Sequence, residues 1–225
     1  MSRLSAPGTE EIRRKVLDHL YWDSRIDASG IQISVAGQTV HLTGTVPAFS
    51  DREHAGSDAL MTPGVAAVVN DLQVRFPGVY RAPGDQVIKS NIENTYRWNS
   101  DINSTGIQVA VDGGVVLLRG SVDAYWEKER AGQLARDTAG VTGVVNLLAV
   151  VPAETYKDEV IANDLISALD RNTAIDMSRI EVKVISGEVT LSGTVPDRSA
   201  RNAAQNIAAF TSGVIKVIND LKISN

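Results

Sequence analysis

Apolar residues follow two different periods in succession, and this order predicts a helix followed by a strand. Ile12, Val16 and Leu20 recur every four residues, the spacing that places side chains on one face of a helix. Residues 31–35 then read IQISV, a strict alternation of apolar and polar side chains. Such alternation is typical of a strand with one buried face.

The pattern occurs three times, in one register and without gaps. The segment TVHLTGTVP at residues 39–47 returns as VVLLRGSVD at 115–123 and as EVTLSGTVP at 188–196. The offsets that align these segments also align two sets of identical residues, Gly44 with Gly120 and Gly193, and Asn70 with Asn146 and Asn219. Agreement of separate stretches on one register indicates duplication of a single unit.

Each unit is predicted to be α-β-β-α-β. A glycine-containing tight turn joins the first two strands, and a helix with a buried stripe of alanines joins the second strand to the third. This crossover makes those two strands parallel. The fold class is therefore α+β, with three tandem units, each a three-stranded mixed sheet with two helices on one face. We place an N-terminal tail at 1–8, the units at 9–75, 84–150 and 157–223, and linkers at 76–83 and 151–156.

Polar residues near the predicted helix starts indicate how the helices begin. Thr9 and Asp85 are expected to cap the first helices of their units. Ser50 and Glu53 have the spacing of a capping box at the start of the second helix.

Composition, charge and the motifs present argue against several classes of function. The net charge of −5 and the lack of a polybasic block argue against nucleic acid as a partner. The chain has no cysteine, which excludes disulfides and thiolate metal sites. Its histidines, at 19, 41 and 54, do not recur at the repeat offsets, and no catalytic or nucleotide-binding motif is present. We therefore expect no enzyme activity, no cofactor and no metal centre.

The sequence as written begins without a secretory signal and has no run of about 18 apolar residues. We expect a soluble cytoplasmic protein with no transmembrane segment, or a periplasmic one if a signal has been removed.

The repeated segments resemble the BON domain, a transport-associated module named for bacterial osmotically inducible and nodulation proteins. The resemblance rests on residues 26–74, with their apolar alternation, the glycine ending the second strand and the closing segment GVAAVVNDLQV. It extends to all three units. It implies a non-enzymatic bacterial protein of osmotic or envelope stress that binds phospholipid. A potassium-binding relative implies an alternative, a cytoplasmic potassium-responsive binding protein.

The recurring glycines and asparagines are candidates for a ligand site that belongs to every unit. For the glycines we favour a backbone kink or bulge. For the asparagines we favour a side chain that ties the third strand to a neighbouring segment, since buried amides must find hydrogen-bond partners. A ligand contact is the alternative.

Oxygen-bearing side chains recur in the loop between the first helix and the first strand. Carboxylate and hydroxyl oxygens there could coordinate a hard cation, but the same side chains also bond their own backbone in turns. The candidate cation residues are Asp27, Ser29, Asp176 and Ser178.

Aromatic residues beside basic ones give the candidates for lipid or partner contact. Trp22 and Trp98 occupy the same place after the first helix of their units, and Tyr125 with Trp126 opens a second helix, near Lys128 and Arg130. Such clusters suit a membrane interface. The alternatives are that Trp22 and Trp98 cover the core edge, and that Trp126 packs on a neighbouring unit.

We therefore predict a binding protein for anionic phospholipid or a membrane-proximal protein. The remaining alternative is a structural protein that self-associates through exposed strand edges.

Overall fold

The computed structural model of the chain describes residues 8–76 and 82–224. Within them each repeat follows the predicted order, and the α+β class with three mixed sheets is confirmed. The first repeat contains α1 (Thr9–Trp22), β1 (Ile31–Ala36), β2 (Thr39–Val46), α2 (Phe49–Met61), β3 (Ala67–Asn70) and β4 (Gln73–Val74). Most of the predicted tail, 1–8, and of the first linker, 76–83, lies outside the described residues.

The other two repeats contain the same elements. The second has α3 (Asp85–Trp98), β5 (Ile107–Asp112), β6 (Val115–Val122), α4 (Tyr125–Arg136), β7 (Gly143–Asn146) and β8 (Ala149–Val150). The third has α5 (Asp158–Asp170), β9 (Ile180–Ile185), β10 (Glu188–Val195), α6 (Arg198–Phe210), β11 (Lys216–Asn219) and β12 (Lys222–Ile223). No helix among the described residues is long and apolar enough to cross a membrane.

The second strand of each repeat is the centre of its sheet. In the first repeat β1 runs antiparallel to β2, from Ile31 opposite Gly44 to Ala36 opposite Thr39. Strands β3 and β4 both run parallel to β2, as the crossover predicts. The closing strand, predicted as one element, is thus interrupted at residues 71–72. The interruption lies opposite the kink at Gly44, where φ is 107° and the ladder is locally broken.

The core of a repeat lies between its sheet and its two helices. In the first repeat the helix residues predicted to be buried, Ile12, Val16 and Leu20, are fully covered and pack with Val40 and Leu42 of β2. The alanine stripe, Ala55 with Ala59, completes the same cluster. Equivalent residues form the core of the third repeat. The periodicity of the sequence therefore identified the buried faces.

The predicted helix caps differ from those in the structure. Helix α2 begins at Phe49, and its N-cap, Ala48, makes no side-chain cap bond. The capping box at Ser50 and Glu53 is therefore wrong, because Ser50 already lies inside the helix. Likewise α1 is preceded by Gly8 rather than capped by Thr9.

Asp85 is the first residue of α3, and its carboxylate reaches the hairpin turn between β5 and β6. It accepts hydrogen bonds from the backbone amides of Gly113 and Gly114, both at 2.9 Å. Asp158 bonds the turn of the third repeat in the same way. Both turn glycines of the second repeat have positive φ, at 56° and 80°, as a type I′ hairpin requires. The carboxylate therefore ties the first helix to the sheet.

Candidate functional site

The recurring asparagines join the closing strand to the second helix. The amide nitrogen of Asn70 donates to the carbonyl of Arg52 at 2.7 Å, and its oxygen accepts from the backbone amide of Leu72 at 3.3 Å. Asn146 makes the same pair of bonds, to Lys128 and Leu148. Asn219 also repeats it, so both polar ends of each amide are used within its own repeat. This arrangement supports the structural interpretation of these residues.

An arginine reinforces the asparagine contact in two of the repeats. The Arg52 guanidinium donates to the backbone carbonyl of Asn70 at 3.2 Å. The Arg201 guanidinium donates to the carbonyls of Asn219 and Leu221 at 2.6 and 3.0 Å. The second repeat has Lys128 at this position.

The recurring glycines are explained by the backbone. Gly44, Gly120 and Gly193 have φ of 107°, 109° and 115°, a region that side chains with a Cβ rarely adopt. A Cβ at Gly44 would also overlap the carbonyl oxygen of Gly30. The kink predicted at these positions is therefore present, and at Gly44 it accompanies a close approach of the second strand to the 3-10 turn that precedes the first strand.

The oxygen-rich loops form short turns. Asp27 and Asp176 precede 3-10 turns and accept from the backbone amides of Ser29 and Ser178, both at 3.1 Å. The hydroxyl of Ser178 also donates to Asp176 at 2.6 Å. The serine hydroxyls first, and the backbone amides second, lower the pKa of both carboxyls. A cation bound at either loop would compete with these bonds, and cation binding there stays a prediction.

Metal-ligating side chains are dispersed in the described part of the chain. Within residues 8–76 and 82–224, no three His, Cys, Asp or Glu side chains lie close enough to hold a metal ion. His19 bonds the hydroxyl of Thr62 through Nδ1 at 3.1 Å, which connects the ends of α1 and α2.

The first repeat carries a polar cluster that the sequence patterns did not indicate. Arg25 bonds Asp23 at 2.5 Å and lies 4.0 Å from Asp58 of α2. Burial, and then the adjacent Asp23 carboxyl, raise the pKa of Asp58, while the hydrogen bond from Arg25 lowers the pKa of Asp23. The other repeats have Leu134 and Ile207 at the position of Asp58. Comparing these repeat positions would have identified Asp58 as an unusual residue.

Trp22 and Trp98 project into solvent at the ends of α1 and α3. Their exposed fractions are 80% and 85%, so neither covers the edge of the core. Tyr21 is 74% exposed and meets Trp22 edge to face, with ring centroids 5.6 Å apart. Leu17, one turn earlier on α1, is 43% exposed. The end of α1 therefore presents adjacent apolar side chains to solvent.

Tyr125 and Trp126 contact the third repeat. The ring of Trp126 stacks on Phe210 at the end of α6, with centroids 5.9 Å apart and planes 8° from parallel. Tyr125 packs against the third core, and burial raises the pKa of its phenol. The packing alternative for Trp126 thus describes its position. Phe210 was not among the predicted contact residues, because nothing in its repeat indicated a partner.

The basic residues near this contact make bonds within the second repeat. Arg130 bonds Gln133 at 3.2 Å on the surface of α4. Lys128 is half-buried, and its carbonyl receives the Asn146 amide.

Comparison with known proteins identifies the family to which this repeated fold belongs. The family model of the BON domain matches residues 8–75, 84–152 and 157–225, and the chain belongs to that family. Osmotically-inducible protein Y of Escherichia coli (strain K12) is 30% identical over 144 residues, which cover 61% of this chain and 72% of that protein. An uncharacterized protein in the gshII 5′ region of Anaplasma centrale is 28% identical over 126 residues, covering 54% and 83%.

Among solved structures, the chain matches CdsD, a structural protein of the type III secretion system of Chlamydia trachomatis. Its C-terminal domain aligns over 100% of both chains with 12% identity and a TM-score of 0.26. A second CdsD structure aligns over 94% of this chain and 92% of that one, with 12% identity and a TM-score of 0.25.

Proposed function

We propose that this BON-repeat protein is a non-enzymatic component of an osmotic or envelope stress response and binds phospholipid surfaces through Trp22 and Trp98. The carrying observation is the exposure of these two indoles, 80% and 85%, at equivalent places in two repeats. The relationship to an osmotically inducible protein supports the stress assignment.

The chemistry of the two sites favours the interface of a membrane over its interior. An indole has an apolar body and one N–H donor, which suits the boundary between headgroups and acyl chains. Arg97 precedes Trp98, so a cation accompanies that indole, whereas Arg25, three residues after Trp22, is paired with Asp23. The net charge of −5 provides no general attraction to an anionic surface. Binding therefore depends on local contacts, and two linked sites add avidity where both reach one surface.

Co-sedimentation with liposomes tests the proposal. The full chain is mixed with neutral phosphatidylcholine vesicles and with vesicles rich in anionic phosphatidylglycerol, at low and at physiological salt. We expect sedimentation with the anionic vesicles, reduced by added salt because salt screens the attraction between Arg97 and the anionic headgroups. The double variant Trp22→Ala/Trp98→Ala is expected to stay in the supernatant, whereas Trp22→Phe/Trp98→Phe retains part of the binding.

Trp126→Ala is the matched control. It also removes one indole, but that indole stacks on Phe210. We expect this variant to sediment as the unaltered chain does. Equal sedimentation of the unaltered chain and the Trp22→Ala/Trp98→Ala variant would refute the site, and absence of the unaltered chain from both pellets would refute lipid binding.

A further inference from the structure

The contact between the second and third repeats has two distinct sides. Residues 117–134 of the second repeat belong to one compact unit with the third repeat. The donor side is the start of α4, where Tyr125 and Trp126 project. The acceptor side is the end of α6, where Phe210 stacks on Trp126, together with Val217 of β11.

Tyr125 packs against the core of the third repeat, beside its edge strand. Burial, and then the carboxylate of Glu129, raise the pKa of its phenol, while the backbone amide of Val217 lowers this pKa. Strand β11 lies at the edge of its sheet, with β10 on its other side. Edge amides otherwise remain open to pairing with other chains. The donor helix therefore covers Phe210 with Trp126 and packs Tyr125 against the same repeat.

Such a contact is heterologous, because a donor on one repeat meets an acceptor on the next. Phe49 stands at the Tyr125 position in the first repeat and is 8% exposed. In the third repeat Arg198 and Ser199 replace the aromatic pair. The third repeat therefore has no aromatic pair at this position. Its guanidinium would be costly to bury against apolar groups.

The acceptor position of the first repeat is exposed in the part of the chain that the structure describes. Met61 ends α2 at the place of Phe210, and Val68 of β3 stands at the place of Val217. Met61 is 45% exposed, and the adjacent Val69 is 39% exposed. Strand β3 lies at the edge of its sheet, as β11 does. A thioether packs well against aromatic rings, so Met61 retains the affinity for an aromatic donor.

We propose that this surface, Met61 with the β3 edge at Val68 and Val69, binds another protein chain through a helix that begins with two aromatic residues. The equivalent surface in the third repeat is covered by such a helix start, at Tyr125 and Trp126. A second copy of this chain is not the partner. Its aromatic helix starts are already buried or packed within the chain, and its third repeat has Arg198 and Ser199 at these positions.

Installing the missing donor tests the acceptor directly. In the full chain, Arg198→Tyr/Ser199→Trp gives the third repeat an aromatic helix start. Since the third repeat then carries a donor and the first repeat an acceptor, copies should associate through heterologous donor–acceptor contacts. Light scattering at up to millimolar concentration should show the unaltered chain at 24.1 kDa and the variant at twice that mass and above.

Met61→Asp identifies the surface used. Added to Arg198→Tyr/Ser199→Trp, it should return the mass to a single chain, with circular dichroism confirming an intact fold. Thr43→Asp, on an exposed position of β2, is the matched control and should leave association unchanged. A donor variant that stays monomeric while folded would overturn the proposal. So would association that persists with Met61→Asp, or self-association of the unaltered chain that Met61→Asp abolishes.

Discussion

The structural role of the recurring asparagine can be tested most clearly in the second repeat. There Asn146 joins Lys128 of α4 to the backbone amide of Leu148, at 2.7 and 3.2 Å. In the first and third repeats, Arg52 and Arg201 add guanidinium bonds across the same junction. We therefore expect Asn146→Ala to destabilise its repeat more than the same change destabilises the other two.

The magnitude follows from the groups left without partners. Leu148 is 1% exposed, so losing the acceptor for its amide costs about 1–3 kcal/mol. The Lys128 carbonyl loses less, because a helical carbonyl also accepts a bond within its helix. We expect a total of about 2 kcal/mol, which corresponds to about 30-fold in an opening equilibrium.

Native-state hydrogen exchange measures this loss repeat by repeat. Amides in β6 and β7 should exchange about 30-fold faster in Asn146→Ala, since exchange reports local opening. Asn91→Ala, on the exposed surface of α3, serves as the control and should leave these rates unchanged. An acceleration of less than about threefold would mean that the amide is not a structural tie, and a ligand role would regain support.

Three further changes test single contacts. Gly44→Ala should cost about 1–3 kcal/mol or more in urea unfolding, whereas Gly37→Ala, with positive φ but open space, isolates the backbone term. Equal losses would show that the close approach is unimportant. Asp85→Ala should cost about 1.5–3 kcal/mol and expose two turn amides to exchange, with Asp85→Asn intermediate; unchanged exchange would contradict this. Asp58→Asn should stabilise the protein at neutral pH, because the raised pKa of Asp58 means that its ionised form opposes folding. This advantage should vanish as pH falls below the unfolded value of about 3.9, and a gain that persists in acid would refute the charge argument.

Most of the fold could be predicted from the common register of the three repeats. Ile12, Val16 and Leu20 are buried as their spacing predicts, and the kink at Gly44 lies where the recurring glycine placed it. These features depend on residues close together in the chain, where periodicity and backbone preference act directly. The capping box at Ser50 failed, because the N-cap of α2 is Ala48, two residues before the position that its sequence signal indicates.

The candidate site, like the fold, could be predicted only in part from the sequence. The sequence by itself determined three α-β-β-α-β units, their core faces and the positions of Trp22, Trp98 and Trp126. Only the tertiary structure decided that Trp22 and Trp98 remain exposed while Trp126 stacks on Phe210. The physical reason is that burial of an aromatic residue at a repeat surface depends on which neighbouring repeat packs there, and that packing is not encoded in the local period of either segment.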